Sequence, residues 1–206
     1  VSGLGLAIGM PIMNGMMCAQ TAQGVSGALM SGAAATWITC CNESFIARAR
    51  NTIAATFLDK TEFPWLLWID ADMVFDPGQV AALVGRAEKH GWPILGGIYS
   101  RKKIEGGEVW AGLGPEDEDG CHRVAVTGTG FLLVARRVFE SVEGLKRIRG
   151  KYWDFHPCGP VDLGGGEWDY DTEDWGFCRD ALRRGFPVRV DPSIRLGHLG
   201  MHEFRA

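Results

Sequence analysis

FPWLLWIDADMVFDP, residues 63–77, joins an apolar run to three acids. Its core, Trp65-Leu66-Leu67-Trp68-Ile69, is apolar at every position and shows no alternation. A strand apolar on both faces predicts a central parallel strand covered by helices on each side. The run ends abruptly in Asp70-Ala71-Asp72. Unpaired buried charge is costly, so two carboxylates at the end of a buried strand require something positive nearby. Asp76-Pro77 reads differently, as a helix start with Asp at the N-cap and Pro at the first helical position.

The neighbouring segments alternate between strand and helix. Residues 4–10 predict a short buried strand stopped by Pro11 and the Asn14-Gly15 turn signal. Residues 21–35 are small and predict a helix packed close to a sheet, and residues 36–39 a second strand. In NESFIARARNTIAATFLDK, Phe45, Ala49, Ile53 and Phe57 recur at helical spacing, with Asn42 or Ser44 as candidate caps. After Asp76, the positions Val80, Leu83, Val84 and Ala87 form one helical face that Gly91 ends. Residues 93–99 predict a strand and residues 105–120 a loop. Residues 124–134 predict a strand interrupted by Gly128-Thr129-Gly130, followed by a short helix over 136–142. Residues 150–171 show no period and predict a long functional loop. Residues 172–184 predict a helix and 187–191 a strand, before a His-bearing tail. The pattern predicts an α/β fold with a mostly parallel, partly mixed central sheet and helices on both faces.

The bulk numbers suit one domain. The chain has 206 residues, 46% hydrophobic and 22% charged, with a formal net charge of −4. That charge gives no global attraction to nucleic acid or anionic lipid. Arg101-Lys102-Lys103 and Lys146-Arg147-Ile148-Arg149 are the local basic clusters. Six cysteines without a CxxC pair suit reduced thiols in a cytoplasmic protein. The apolar N-terminal stretch lacks a basic start and is broken by Gly, Pro and Asn, so neither a signal peptide nor stable membrane insertion is expected.

Three places can carry chemistry. In open α/β sheets ligands bind beyond the carboxyl ends of the strands, where Asp70 and Asp72 lie. If that stretch stays extended, both carboxylates point to one side and converge on one hard cation, Mg²⁺ or Mn²⁺. In TEDWGFCRDALRRG, Glu173 and Asp174 fall in the first turn of a helix. Acids there complement the helix dipole, and one of them facing a cleft can serve as a general base. In GHLGMH, a neutral His198 flanked by glycines can join one or two carboxylates around Mn²⁺. The glycines of GLGLAIG are wrongly spaced and wrongly placed for a dinucleotide fingerprint. Ser26 lacks the strand-turn-helix setting of a nucleophile.

The ordered set RARNTIAATFLD, WLLWIDADMVFDP, TGTGFLLVARRVF, TEDWGFC and LGH resembles the GT-A glycosyltransferases, especially small family-2-like members of bacteria and bacteriophages. The similarity spans nearly the whole chain. It implies a Rossmann-like GT-A fold over residues 1–206. Residues 1–100 would form the nucleotide-sugar half and 101–206 the acceptor half. It also implies transfer of a sugar from a nucleoside-diphosphate sugar, UDP-linked by default, to an acceptor hydroxyl with inversion. By the resemblance, Asp72, Asp70 and His198 would hold Mn²⁺ or Mg²⁺. Asp174, or secondarily Glu173, would be the base. Pro11, Arg50, Asn51, Asp70, Ala71, Gly128, Thr129 and Gly130 would line the nucleotide-sugar site. The acceptor stays open among glycan, protein, lipid carrier and a modified base in DNA, and so does the oligomeric state.

Two other readings compete. A nucleotidyltransferase acting on sugar phosphates would want a basic, Gly-rich phosphate loop after the first strand, where this chain has Pro11-Ile12-Met13-Asn14-Gly15. A non-catalytic sugar-nucleotide binding module is opposed only by the Glu173-Asp174 pair.

Overall fold

The computed structural model describes residues 5–100, 113–142, 146–148, 152–200 and the backbone of 203–205. Arg101 to Lys103, the first half of the expected 105–120 loop, Arg149, Lys151 and His202 lie outside the described residues.

The chain runs β1 (Leu6–Ile12), α1 (Ala19–Met30), β2 (Thr36–Cys41), α2 (Ile46–Lys60), β3 (Trp65–Ile69), β4 (Met73–Val74) and α3 (Pro77–His90). Next come β5 (Ile94–Tyr99), β6 (His122–Val124), β7 (Phe131–Ala135), α4 (Arg136–Glu140), β8 (Arg147–Ile148) and β9 (Tyr152–Trp153). It closes with β10 (Gly159–Gly164), β11 (Glu167–Asp171), α5 (Glu173–Arg183), β12 (Val188–Leu199) and β13 (Glu203–Arg205). The main sheet has the order β13-β12-β5-β7-β3-β1-β2, with β4 and β6 paired to β12. β1 is parallel to β2 and β3, and β5 is parallel to β12. Only β7, wedged between β3 and β5, reverses direction within that core.

β3 is buried at all five positions, because its neighbours β1 and β7 close both edges and helices cover both faces. Trp68 is fully buried and meets Phe139 of α4 edge-on, with ring centroids 6.4 Å apart. α3 is built as its sequence dictates. The Asp76 carboxylate accepts from the Gly78 N–H, Gln79 returns to the Asp76 N–H, and Gly91 closes the helix in the left-handed conformation. Val80, Leu83, Val84 and Ala87 are all buried. α1 packs against α3 and β4 through small residues. A Cβ on Gly24 would sit 2.8 Å from the Phe75 ring, and one on Gly27 2.7 Å from Pro77.

Several elements differ from the sequence reading. β1 does not stop at Pro11, which pairs with Cys40 inside the strand. Pairing with β3 ends at Gly9, so Pro11 sits where β1 has a neighbour on one side only, and its missing N–H costs no ladder bond. Phe45 is not part of the buried stripe of α2. It is the extended N-cap residue, 51% exposed, and no side chain of Asn42 or Ser44 caps the helix. Its N–H donates instead to the Glu43 carboxylate at 3.0 Å. The loop expected over 150–171 contains β9, paired antiparallel with the preceding β8, and the β10-β11 antiparallel pair. β10 and β11 are mostly exposed, so no apolar period marks them. β12 continues beyond Asp191 through a register shift, reaching Leu199. No helix among the described residues is long and apolar enough to cross a membrane.

Candidate active site

The carboxyl ends of β1, β3 and β12 and the starts of α2 and α5 surround one cavity of about 610 Å³. Its wall includes Pro11, Arg50, Asp70, Asp72, Glu173 and His198, with Ala71 and the apolar Met13, Met16 and Met17. Residues 123 positions apart in the chain thus meet: the Arg50 Nε lies 3.4 Å from the Glu173 Oε1. Among the residues expected at the site, Asn51, Gly128, Thr129, Gly130 and Asp174 are not part of this wall.

The stretch 70–72 is not extended, contrary to the premise of the sequence reading. It forms a turn closed by a Met73 N–H bond to the Asp70 carbonyl. Four segments hold that turn. The Asp70 N–H donates to the Gly130 carbonyl, and the Ala71 carbonyl accepts from the Cys18 N–H. The Asp72 carbonyl accepts from Leu199 of β12, and Thr21 of α1 donates to the Met73 carbonyl. The turn sends the two carboxylates to different partners.

Asp70 meets Arg50. The guanidinium Nη2 lies 2.8 Å from the Asp70 Oδ1, and its plane sits over Trp68 at 5.4 Å. Arg50 is only 2% exposed. Burial works against its charge, but the Asp70 and Glu173 carboxylates outweigh that effect and raise its pKa above the ordinary arginine value. Arg50 is therefore a built-in positive partner for the half-buried acid at the end of β3. The second oxygen of Asp70 approaches Gly130, where an added Cβ would lie 3.2 Å from it and 2.8 Å from the Tyr99 hydroxyl. That hydroxyl accepts from the Gly130 N–H at 2.9 Å. Burial, then the Asp70 charge, pushes the Tyr99 phenol well above its usual pKa, so it stays protonated.

Asp72 meets His198. The His198 Nδ1 donates to the Ser100 carbonyl at 2.9 Å, which turns Nε2 toward the Asp72 Oδ1, 3.6 Å away. A carbonyl can only accept, so Nδ1 carries the hydrogen, and in the neutral ring Nε2 offers a lone pair beside a carboxylate oxygen. One imidazole nitrogen oriented by a backbone carbonyl, next to one carboxylate, is a donor pair suited to Mn²⁺. No group of three His, Cys, Asp or Glu side chains that could hold a metal occurs among the described residues. The expected trio of Asp70, Asp72 and His198 is divided because Arg50 engages Asp70.

The acids of α5 also divide. Glu173 faces the cavity and pairs with Arg50. Burial raises its pKa, as do the Asp174 and Asp70 charges, while Arg50 opposes the rise. Asp174 is only partly buried. Its Oδ1 accepts from the Trp175 N–H at 2.9 Å and from the Thr172 hydroxyl. Its charge bears on both Arg50 and Tyr99, which places it close to the same centre.

Asn51 faces the other way from α2. Its amide donates to the Asp154 carboxylate at 2.9 Å and accepts from the His156 N–H at 3.0 Å. It thereby fastens the 154–156 segment to α2. Thr129 is buried, and its hydroxyl has no hydrogen-bond partner among the described residues. The sequence reading missed Tyr99, Ser100 and His156. Tyr99 and Ser100 sit at the carboxyl end of β5, so the strand-end rule that singled out Asp70 and Asp72 applies to them equally. His156 had no such signal.

No family model and no curated protein matches the sequence. Among solved structures, the chain is similar to A197 from STIV, with a TM-score of 0.59 and 18% identity, over 95% of this chain and 85% of that one. It is also similar to GalNAc-T7, whose crystal structure was determined with UDP, GalNAc and Mn²⁺. That match has a TM-score of 0.56 and 11% identity, and covers 95% of this chain but only 44% of GalNAc-T7. Both likenesses are likenesses of fold, and the fold is the GT-A type: a mixed, mostly parallel sheet with helices on both faces, its cavity at the strand ends.

Proposed function

We propose that the chain is a glycosyltransferase that moves a sugar from a nucleoside-diphosphate sugar, UDP-linked by default, to an acceptor hydroxyl. The observation that carries this reading is the 3.6 Å approach of Asp72 and His198 beside the Arg50 ion pairs, within one cavity at the strand ends. The likeness of fold to GalNAc-T7, solved with UDP and Mn²⁺, supports it. On this reading the chain is one catalytic domain, with residues 1–100 serving the donor and 101–206 the acceptor.

Asp72 and His198 would hold the divalent ion, Mn²⁺ or Mg²⁺. When bound, that ion neutralises the charge that builds on the departing diphosphate. Asp70 and Glu173 fix Arg50, whose positive charge stays at the site. Pro11 and Ala71 line the donor cavity, and Gly130 keeps the backbone close to Asp70. Asp174 is the general base, with one oxygen anchored by the Trp175 N–H and the other available to an acceptor. The acceptor oxygen forms its bond to the anomeric carbon as the bond to the diphosphate breaks, and Asp174 takes the hydroxyl proton. Attack opposite the leaving group inverts the anomeric centre.

The test incubates the protein with a panel of nucleotide sugars and reads release of nucleoside diphosphate. Release should require Mn²⁺ or Mg²⁺ and stop on exhaustive chelation. Asp174→Asn should lower turnover by about 10²-fold or more while donor binding survives. Undiminished turnover in that variant, or full activity after chelation, overturns the assignment.

A further inference from the structure

β10 and β11 form a two-stranded antiparallel sheet of their own, apart from the main sheet. Their register sorts the side chains into two faces. Trp168 stands opposite Asp162 and Tyr170 opposite Pro160, so these four share one face. Val161, Asp169 and Asp171 share the other face, where Val161 is half-buried and Asp171 buried. One face of an antiparallel sheet commonly packs on the protein and carries the apolar residues, while the other meets water. β11 does the reverse. Trp168 is 67% exposed and Tyr170 64% exposed, and neither makes a ring contact among the described residues. Two large aromatics on one solvent-facing strand serve no core, and such a patch marks an interaction surface. We propose that this face docks a basic polypeptide segment, whose Arg or Lys side chains lie over Trp168 and Tyr170 and pair with Asp162. The inference does not rest on the function proposed above.

Charge selects the partner. The chain carries no Lys or Arg from Tyr152 to Cys178. The hairpin itself carries Asp162, Glu167, Asp169 and Asp171. Only Asp171 of these has a cationic partner among the described residues, Arg179 of α5 at 3.0 Å. Asp162, on the aromatic face, is oriented by the Gly164 N–H, which donates to its Oδ1 at 2.8 Å. Its second oxygen is left to a ligand.

The face is thus aromatic, acidic and without a positive charge. It repels phosphate, nucleic acid and acidic polysaccharide. A cation gains twice at the Trp168-Asp162 position, from the negative face of the indole and from the carboxylate directly across the strands. Guanidinium suits that position best, because its plane stacks on a ring while its edge donates to a carboxylate. A neutral sugar ring stacks on the same aromatics but leaves the charge unmatched.

The full chain is titrated against fluorescein-labelled peptides of alternating Arg-Ser, Lys-Ser and Glu-Ser, with binding read by fluorescence anisotropy. The Arg-Ser peptide should bind, the Lys-Ser peptide about threefold more weakly, and the Glu-Ser peptide not at all. Raising salt from about 0.05 to 0.5 M should weaken binding about tenfold, since the face is exposed. Trp168→Ala and Tyr170→Ala should each weaken the Arg-Ser peptide about fivefold, and Asp162→Asn about threefold. Asp59→Asn, at an exposed acid on α2, should change nothing. All four positions are exposed, so each variant should keep the wild-type urea midpoint, measured alongside. Absence of Arg-Ser binding up to about 1 mM overturns the inference. So does binding that all three hairpin variants leave unchanged, or that Asp59→Asn weakens as much as Asp162→Asn does. Maltohexaose and cellohexaose are titrated by calorimetry in parallel. Trp168-dependent binding of either, without binding of the Arg-Ser peptide, assigns the face to neutral glycans and overturns it as well.

Discussion

Replacing Arg50 with Met would remove the one positive charge that Asp70 and Glu173 share while keeping a side chain of similar length. The magnitude follows from the two contacts, 2.8 Å to Asp70 and 3.4 Å to Glu173. At an effective dielectric of about 20 each is worth roughly 5–6 kcal/mol of gross attraction. Desolvation of a side chain only 2% exposed returns much of that. Breaking a buried pair from one side costs about 3–5 kcal/mol, because the partner charges stay behind. Asp70 is 31% exposed and can relax toward water, so the lower end applies, about 3 kcal/mol. For a chain of this size that is a fall in Tm of about 6–12 °C.

The loss should also depend on pH. Burial raises the Glu173 pKa, and Arg50 is the largest influence that lowers it. Without Arg50 the folded-state pKa of Glu173 rises further above its unfolded value. A carboxyl with a raised folded pKa binds more protons in the folded state, so stability falls as pH climbs through that window. The Arg50→Met deficit should therefore be larger at pH 8 than at pH 5. Urea denaturation at both pH values measures it. Arg50→Lys, which restores the charge without the two-pronged reach, should recover part of the loss. A variant as stable as the wild type, or one whose deficit grows as pH falls, would refute this account of the ion triad.

Three further outcomes are expected. Gly130→Ala should cost about 1–3 kcal/mol by overpacking against Tyr99 and Asp70, read from the shift in urea midpoint; adding Tyr99→Phe should recover part of it, since the hydroxyl is the nearest atom. Asp72→Asn and His198→Phe should each weaken Mn²⁺ binding about tenfold or more, measured by electron paramagnetic resonance of free Mn²⁺, whereas Asn51→Ala should not. Asp76→Ala should lower stability by about 1 kcal/mol through loss of the α3 capping box, without altering Mn²⁺ affinity.

What the sequence disclosed followed from burial and local chemistry. β3 was legible because both of its faces and both of its edges are covered, leaving an unbroken apolar run. α3 was legible because its cap, first-position Pro, apolar face and terminal Gly all agree. The β10-β11 hairpin was not, since its exposed faces impose no apolar period. At the site, the residue types at Arg50, Asp70, Asp72, Glu173 and His198 were visible, but their pairing was not. It depends on which backbone groups capture a three-residue turn, and those belong to Cys18, Gly130 and Leu199, far away in the chain. Asn51 shows the same limit from the opposite side. It neighbours Arg50 in sequence, yet one residue along a helix turns its side chain to another face.

The turn at 70–72 gives the two acids different roles. Two carboxylates sharing one ion would both depend on that ion for their countercharge. Here Asp70 has a permanent cation in Arg50, while Asp72 faces a His198 nitrogen held in place by Ser100. Three carboxylates, Asp70, Asp72 and Glu173, line the cavity. Arg50 offsets one of them. Two negative charges remain, which is the charge that one divalent cation matches. An arginine fixed in the fold keeps the ion-free site from accumulating all three charges. An exchangeable cation, on the proposed function, would then arrive at Asp72 and His198 with the diphosphate it serves.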